Sequence, residues 1–336
     1  MSTRVNKRLY AKTRPVKRKK RRAVNSFLMS GVVVGAAALA AAFFAPPPFR
    51  LSPPSPCRPR PRPAATAPLD PSEARAAADL PNPQAPVLVI RDRRGGVPFV
   101  LIAGGTVQTR RSPRRCGVSE FVKGAGARAG LNGTFFADAS LRGTDHLLIG
   151  PTLCGDEARA VFNRSDSARA LTGRPLVLLS PTRTRILPYR PAAMASQAAL
   201  AARLPGLSDA FLGGVWLVHG GVAGGRAALD AYHVQDAEDP RRRAFFCLMP
   251  DGRPALGATT YVTPSAALAR ALQAEGVREA VLLDSGFSTS LVYGRNILVT
   301  GHTSPGIPSR PVPHALVLFG RPAPPVPKAE EMAGRF

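Results

Sequence analysis

The sequence predicts a mixed α+β domain, set behind one transmembrane helix and a proline-rich linker. Three observations predict it. Short apolar runs bounded by Gly, Pro and Asn recur between Val87 and Phe319, the pattern of many strands. Helical stretches are few, Ala192–Leu204 and a run beginning at Thr263. An uncharged span of 23 residues, Ala23 to Ala45, follows directly on a basic tail.

The chain has 336 residues, 45% of them hydrophobic, enough for a sizeable core. Its net charge is +25, and residues 1–22 hold 11 of the 46 Lys and Arg and no acid. Such a tail can bind nucleic acid. Here the uncharged span would cover roughly 34 Å as a helix, against a hydrocarbon core of about 30 Å. Basic residues before an apolar span stay on the cytoplasmic side. The tail therefore reads as a topology signal and not as a nucleic-acid patch. The apolar run from Phe27 to Phe44 exceeds the usual h-region of a cleaved signal, and Pro46-Pro47-Pro48 blocks the small-residue site at Ala45. The expectation is an uncleaved signal-anchor at 23–45, with the domain on the periplasmic or extracellular side.

Residues 46–86 alternate Pro with Arg through Arg58-Pro59-Arg60-Pro61-Arg62-Pro63. They read as a semi-extended spacer. Strands are expected at Val87–Ile90, Pro98–Ile102, Leu176–Leu179, Val215–His219 between its glycine pairs, Ala244–Met249 and His314–Phe319. A strand broken by an Asn-Gly turn is expected over Ala129–Phe136. Asp251-Gly252 signals a hairpin. Thr263 is expected to cap a helix with Pro264 in its first turn and Gly276 at its end. The domain is expected over 87–321, followed by a disordered tail at 322–336. Cys116 and Cys154 lie in polar contexts and could pair, whereas Cys247 reads as a buried thiol. No Cys/His spacing suits a metal and no cofactor fingerprint appears, so none is expected.

The stretch Val281-Leu282-Leu283-Asp284-Ser285-Gly286-Phe287-Ser288-Thr289-Ser290 carries most of the chemistry. Apolar residues before Asp284 read as a core strand buried on both faces. Gly286 allows positive φ or a close backbone approach. Asp284 at a strand end is either a site carboxylate or a turn cap. Five segments then line up: Asn132-Gly133-Thr134-Phe135-Phe136, Gly213-Gly214 to Gly220, Arg243-Ala244 before Asp251-Gly252-Arg253, Leu283 to Thr289, and Ser309-Arg310-Pro311-Val312. In this order, over about 87–320, they resemble the phosphodiester glycosidase family. The family pattern differs at Thr134, Ser285 and Phe287, where Phe287 puts a ring in place of glycine.

The resemblance implies a hydrolase that removes a sugar from a phosphodiester, with a phosphate-linked glycan of an envelope or exported polysaccharide as partner. It implies Asp284 and Asn132 as catalytic residues. Substrate or phosphate contacts would come from Arg243, Arg310, Gly133, Gly214, Gly286, Ser288 and Thr289. Their chemistry agrees. A guanidinium fork holds two oxygens of a phosphodiester anion, and Arg243 and Arg310 are the candidates. The Ser288 and Thr289 hydroxyls could support the same oxygens. Asn132 could bond a sugar hydroxyl or orient Asp284. Asp284 would attack the anomeric carbon or activate water; glycosidases usually use two carboxylates, and no second is apparent. Among the histidines, His219 between glycine pairs is the one most suited to line a pocket. The rival reading is a catalytically inactive glycan- or phosphate-binding module on the same fold.

Overall fold

The computed structural model describes residues 77–79, 86–137, 148–157, 159–162, 168–232, 234, 237–304 and 306–323. Every described residue belongs to one compact unit, Arg62–Phe336. The expected tail, signal-anchor and most of the linker lie outside the described residues. Among those described, no helix is long and apolar enough to cross a membrane.

Three antiparallel sheets make the domain. The first runs β1 (Ala77–Asp79), β8 (Arg183–Pro188), β7 (Pro175–Leu179), β9 (Asp209–Leu212) and β6 (Thr152–Leu153). The second runs β11 (Val222–Ala223), β10 (Trp216–His219), β14 (Glu279–Leu282), β12 (Ala244–Leu248), β13 (Pro254–Thr259), β3 (Val97–Ala103) and β2 (Leu88–Arg94). The third runs β16 (Asn296–Val299), β15 (Leu291–Tyr293), β5 (Ala129–Asn132), β17 (Val312–Phe319) and β4 (Thr106–Cys116). The α+β expectation thus holds only coarsely. The domain is sheet-rich, with a few short helices.

Side-chain alternation explains the layers. Val177 and Leu179 of β7, Ala244, Phe246 and Leu248 of β12, and Leu316 and Leu318 of β17 meet in one central core. Their neighbours face outward into separate clusters. Phe245 and Cys247 pack under the helix Ser265–Ala274, Leu176 and Leu178 form a cluster outside the first sheet, and Ala315 and Val317 pack under the helix Val118–Ala125. Strands covered on both faces need apolar residues at every position, which is why the unbroken runs marked them correctly.

Several expectations fail for local reasons. The helix of Ala192–Leu204 shrinks to Gln197–Ala201, capped by Ser196 Oγ accepting from Ala199 N at 3.1 Å. Its alanine-rich surface buries only Leu200, too little to sustain a longer helix. Thr263 is not the cap of the next helix, because its hydroxyl donates to the Tyr261 carbonyl at 3.1 Å and Pro264 takes the cap position. Cys116 and Cys154 do not pair and both stay thiols; burial pushes the Cys154 thiol up to about 12. The long strand β4 was not expected, since it carries four arginines and Pro113. It lies at a sheet edge, where charge and proline are tolerated.

One polar group ties two sheets together. Asp209, fully buried at the start of β9, accepts from Thr109 N at 2.8 Å, Thr109 Oγ1 at 3.0 Å and Gly155 N at 3.0 Å. Asp209→Ala would strand the buried Thr109 N–H and should cost about 2 kcal/mol. Urea unfolding followed by the fluorescence of Trp216, the single tryptophan, checks this.

Candidate active site

The site forms where the second and third sheets meet. The chain leaving β14 is fixed by Leu283 N donating to the Ala244 carbonyl at 2.9 Å and Asp284 N to the Gly133 carbonyl at 3.2 Å. One neighbour is in the second sheet and the other just past β5 of the third. Asn132, buried at the end of β5, closes the turn that follows. Its Nδ2 donates to the Asp284 carbonyl at 2.5 Å and its Oδ1 accepts from Ser290 N at 3.0 Å. Between these ends lies a single 3-10 turn, Gly286–Ser288, entered through Gly286 at φ 65°. That positive φ was expected, and a side chain there would be strained.

Gly133 serves a different purpose from the expected positive-φ turn. A Cβ on it would overlap Nδ1 of His314. That ring is buried and accepts from Thr134 N at 3.1 Å, so Nδ1 carries no proton. Burial, with the nearby Arg111 charge, lowers the His314 value to about 3 and keeps the ring neutral. Gly214 likewise makes room, here for the Phe135 ring. Thr134 and Ser285, two departures from the family pattern, spend their hydroxyls on the carbonyls of Leu212 and Leu283.

Asp284 presents its carboxylate at the surface end of this frame. Oδ1 accepts from Ser285 N at 3.0 Å, and Oδ2 stands 3.3 Å from Arg310 Nη2. Ser288 Oγ accepts from Arg310 Nη2 at 2.7 Å and Nε at 3.1 Å, which fixes the guanidinium plane. The Phe136 ring supports it, with the Arg310 and Arg115 Cζ atoms at 4.8 and 4.7 Å from the ring centroid. Burial pushes the Asp284 carboxyl above the ordinary aspartate range. The Ser288 hydroxyl, the Arg310 charge and Ser285 N–H pull the other way without cancelling it.

Not every expected residue reaches the surface. The Asp284 and Arg310 side chains are 14% and 30% exposed, while Asn132, Ser288 and Thr289 are buried. Thr289 Oγ1 donates to the Arg242 carbonyl at 2.9 Å, so it builds the turn instead of facing a ligand. Arg243, the expected second arm of the clamp, is 1% exposed. It falls in register with Phe245 and Cys247, and its guanidinium donates to the carbonyls of Thr263 and Asp239. Arg242 Nη1 donates to the Thr300 carbonyl at 2.8 Å. The arginine beside the turn is Arg241, whose Cδ and Nη1 stand 3.3 and 3.4 Å from the place of a Gly286 Cβ. Sequence reasoning missed Arg241 and the support given by Phe136. The second of these lay in plain view in the Phe135-Phe136 pair. His219 is remote from this turn along β10 and bonds Glu279 Oε2 at 2.9 Å.

No protein-family profile matches the chain, and no curated protein matches it in sequence. Solved structures do resemble it. The catalytic domain of zebrafish N-acetylglucosamine-1-phosphodiester alpha-N-acetylglucosaminidase, auto-inhibited by pro-peptide, superposes with a TM-score of 0.53 at 12% identity, over 71% of this chain and 83% of that one. A hypothetical protein from Synechocystis gives 0.47 at 14% identity, over 70% of this chain and 62% of that one. A putative exported protein from Burkholderia pseudomallei K96243 gives 0.40 at 15%, over 67% and 74%. The chain therefore shares its fold with a phosphodiester glycosidase catalytic domain.

The raised Asp284 value has a pH signature. A carboxyl raised on folding holds its proton more tightly in the native state, so its ionised form is a cost. That cost is absent below the ordinary aspartate value of about 4 and grows as pH rises through the folded value. Asp284→Asn should therefore raise the urea midpoint at neutral pH, with the gain fading on acidification. Parallel unfolding curves across pH measure it.

Proposed function

We propose that this chain is an exported, membrane-anchored hydrolase that cleaves a glycosyl phosphodiester bond, with an envelope or exported polysaccharide as the source of substrate. The observation that carries the reading is the partly exposed Asp284 carboxylate held against the Arg310 guanidinium, on a fold shared with a phosphodiester glycosidase domain. Arg310 would take the phosphodiester anion by paired N–H donors, in exchange for part of its bond to Asp284. Asp284, freed on that side, would accept a proton from water as the water oxygen attacks the anomeric carbon. The anomeric C–O bond breaks and the phosphate monoester leaves with the electron pair. A carboxyl raised above its ordinary range is the better base for this step. Phosphate leaves readily, so a single carboxylate suffices. Asn132, Ser288 and Thr289 would act by holding the turn and the guanidinium in place. The anchor at 23–45 and the extracytoplasmic side rest on the order of charged tail, uncharged span and linker.

A second reading, an inactive binding module, draws on Phe287 standing where the family pattern has glycine. Turnover separates the two. The full chain in detergent would be incubated with an N-acetylglucosamine phosphodiester and the free sugar measured. Release by the parent, reduced about a hundredfold or more in Asp284→Asn, supports the hydrolase. Undiminished release by Asp284→Asn would remove the carboxylate from its role, and binding without release by the parent would favour the module.

A further inference from the structure

Phe287 is 61% exposed. It is not a loose side chain. One face stacks on the His302 ring, with centroids 4.6 Å apart and planes 18° from parallel. Its backbone is fixed on every side. The Phe287 carbonyl accepts from Arg310 N at 2.7 Å, and Gly286 N donates to the Arg242 carbonyl at 2.9 Å. Gly301 presses on the Phe287 carbonyl so closely that a Cβ at residue 301 would overlap it. The loop bearing His302 is itself tied down, Gly301 N donating to Ser309 Oγ at 3.0 Å and Ser309 Oγ to the Thr289 carbonyl at 2.7 Å. The backbone that bears the ring and the loop that bears its stacking partner are therefore both held in place.

The residue after it, Ser288, carries the guanidinium of Arg310. A rigid aromatic face and a fixed cation thus share one turn. That pairing suits a ligand with an apolar ring face next to an anionic group. A pyranose joined to phosphate has both, since its axial C–H bonds form such a face. We propose that the Phe287–His302 stack is a platform for the sugar ring of a phosphate-linked sugar and sets the site's preference for glycosylated over simple phosphates. This rests on the reading of Asp284 and Arg310 as a glycosyl phosphodiester site. The aromatic ring adds contact area at little entropic cost, because His302 already holds it in place.

The test is calorimetric titration of the full chain in detergent with N-acetylglucosamine 1-phosphate and, separately, inorganic phosphate. Phe287→Ala should weaken the sugar phosphate by about tenfold and leave inorganic phosphate within about twofold. Phe287→Trp should restore the sugar phosphate affinity, with a fluorescence change on adding sugar phosphate that phosphate alone does not cause. Equal affinities of Phe287→Ala and the parent for the sugar phosphate would overturn the platform and leave the anion site standing. Equal losses for both probes would overturn it too, since the ring would then be acting through Arg310. Arg310→Met, losing both probes, supports the underlying site. A parent that binds neither probe would bring down the phosphate-linked reading itself, and the platform with it.

Discussion

The amide of Asn132 is the constraint on which the site depends. It bonds the backbone at both ends of the turn, the Asp284 carbonyl and the Ser290 N–H, and so closes a loop of seven residues with one side chain. Both bonds use amide atoms in fixed roles, one donor and one acceptor, which no carboxylate or apolar residue of that size supplies. The turn cannot drift without breaking one of them. Everything that follows, from the φ of Gly286 to the angle of Arg310, inherits its position from this closure. Asn132 is itself immobile because it ends a fully buried strand between β15 and β17.

Glycines then let the sheets come close enough for that closure to form. Residue 133 must lack a side chain for His314 to lie over it, and residue 214 must lack one for Phe135. The two adjacent phenylalanines divide the labour. Phe135 lies over Gly214, while Phe136 supports the guanidinium of Arg310.

Much of this was legible in the sequence because strands covered on both faces need continuous apolar runs. Leu176–Leu179, Ala244–Met249 and the residues before Asp284 announced themselves in that way. Edge strand β4 did not, because arginines and Pro113 mask its pairing and nothing in its composition distinguishes it from a loop. The candidate site was legible where motif order fixed residues to the turn, as with Asp284, Gly286 and Arg310. It failed at Arg243, because a run of three arginines before a strand does not reveal which one faces inward. The contacts settle that: Arg243 is enclosed and donates to the Thr263 and Asp239 carbonyls, while Arg241 lies beside Gly286. Ser288 and Thr289 were legible as polar groups at the right place. Their inward commitments depend on Arg310 and the Arg242 carbonyl, partners far away in sequence.

The free thiols have a consequence for how the domain matures. Among the described residues no cysteine is bridged, and Cys154 and Cys247 are buried with their thiols strongly biased to the protonated form. A protonated, enclosed sulfur is a poor partner for oxidants and for disulfide exchange. The described fold is thus held by sheet packing and buried polar ties such as Asp209.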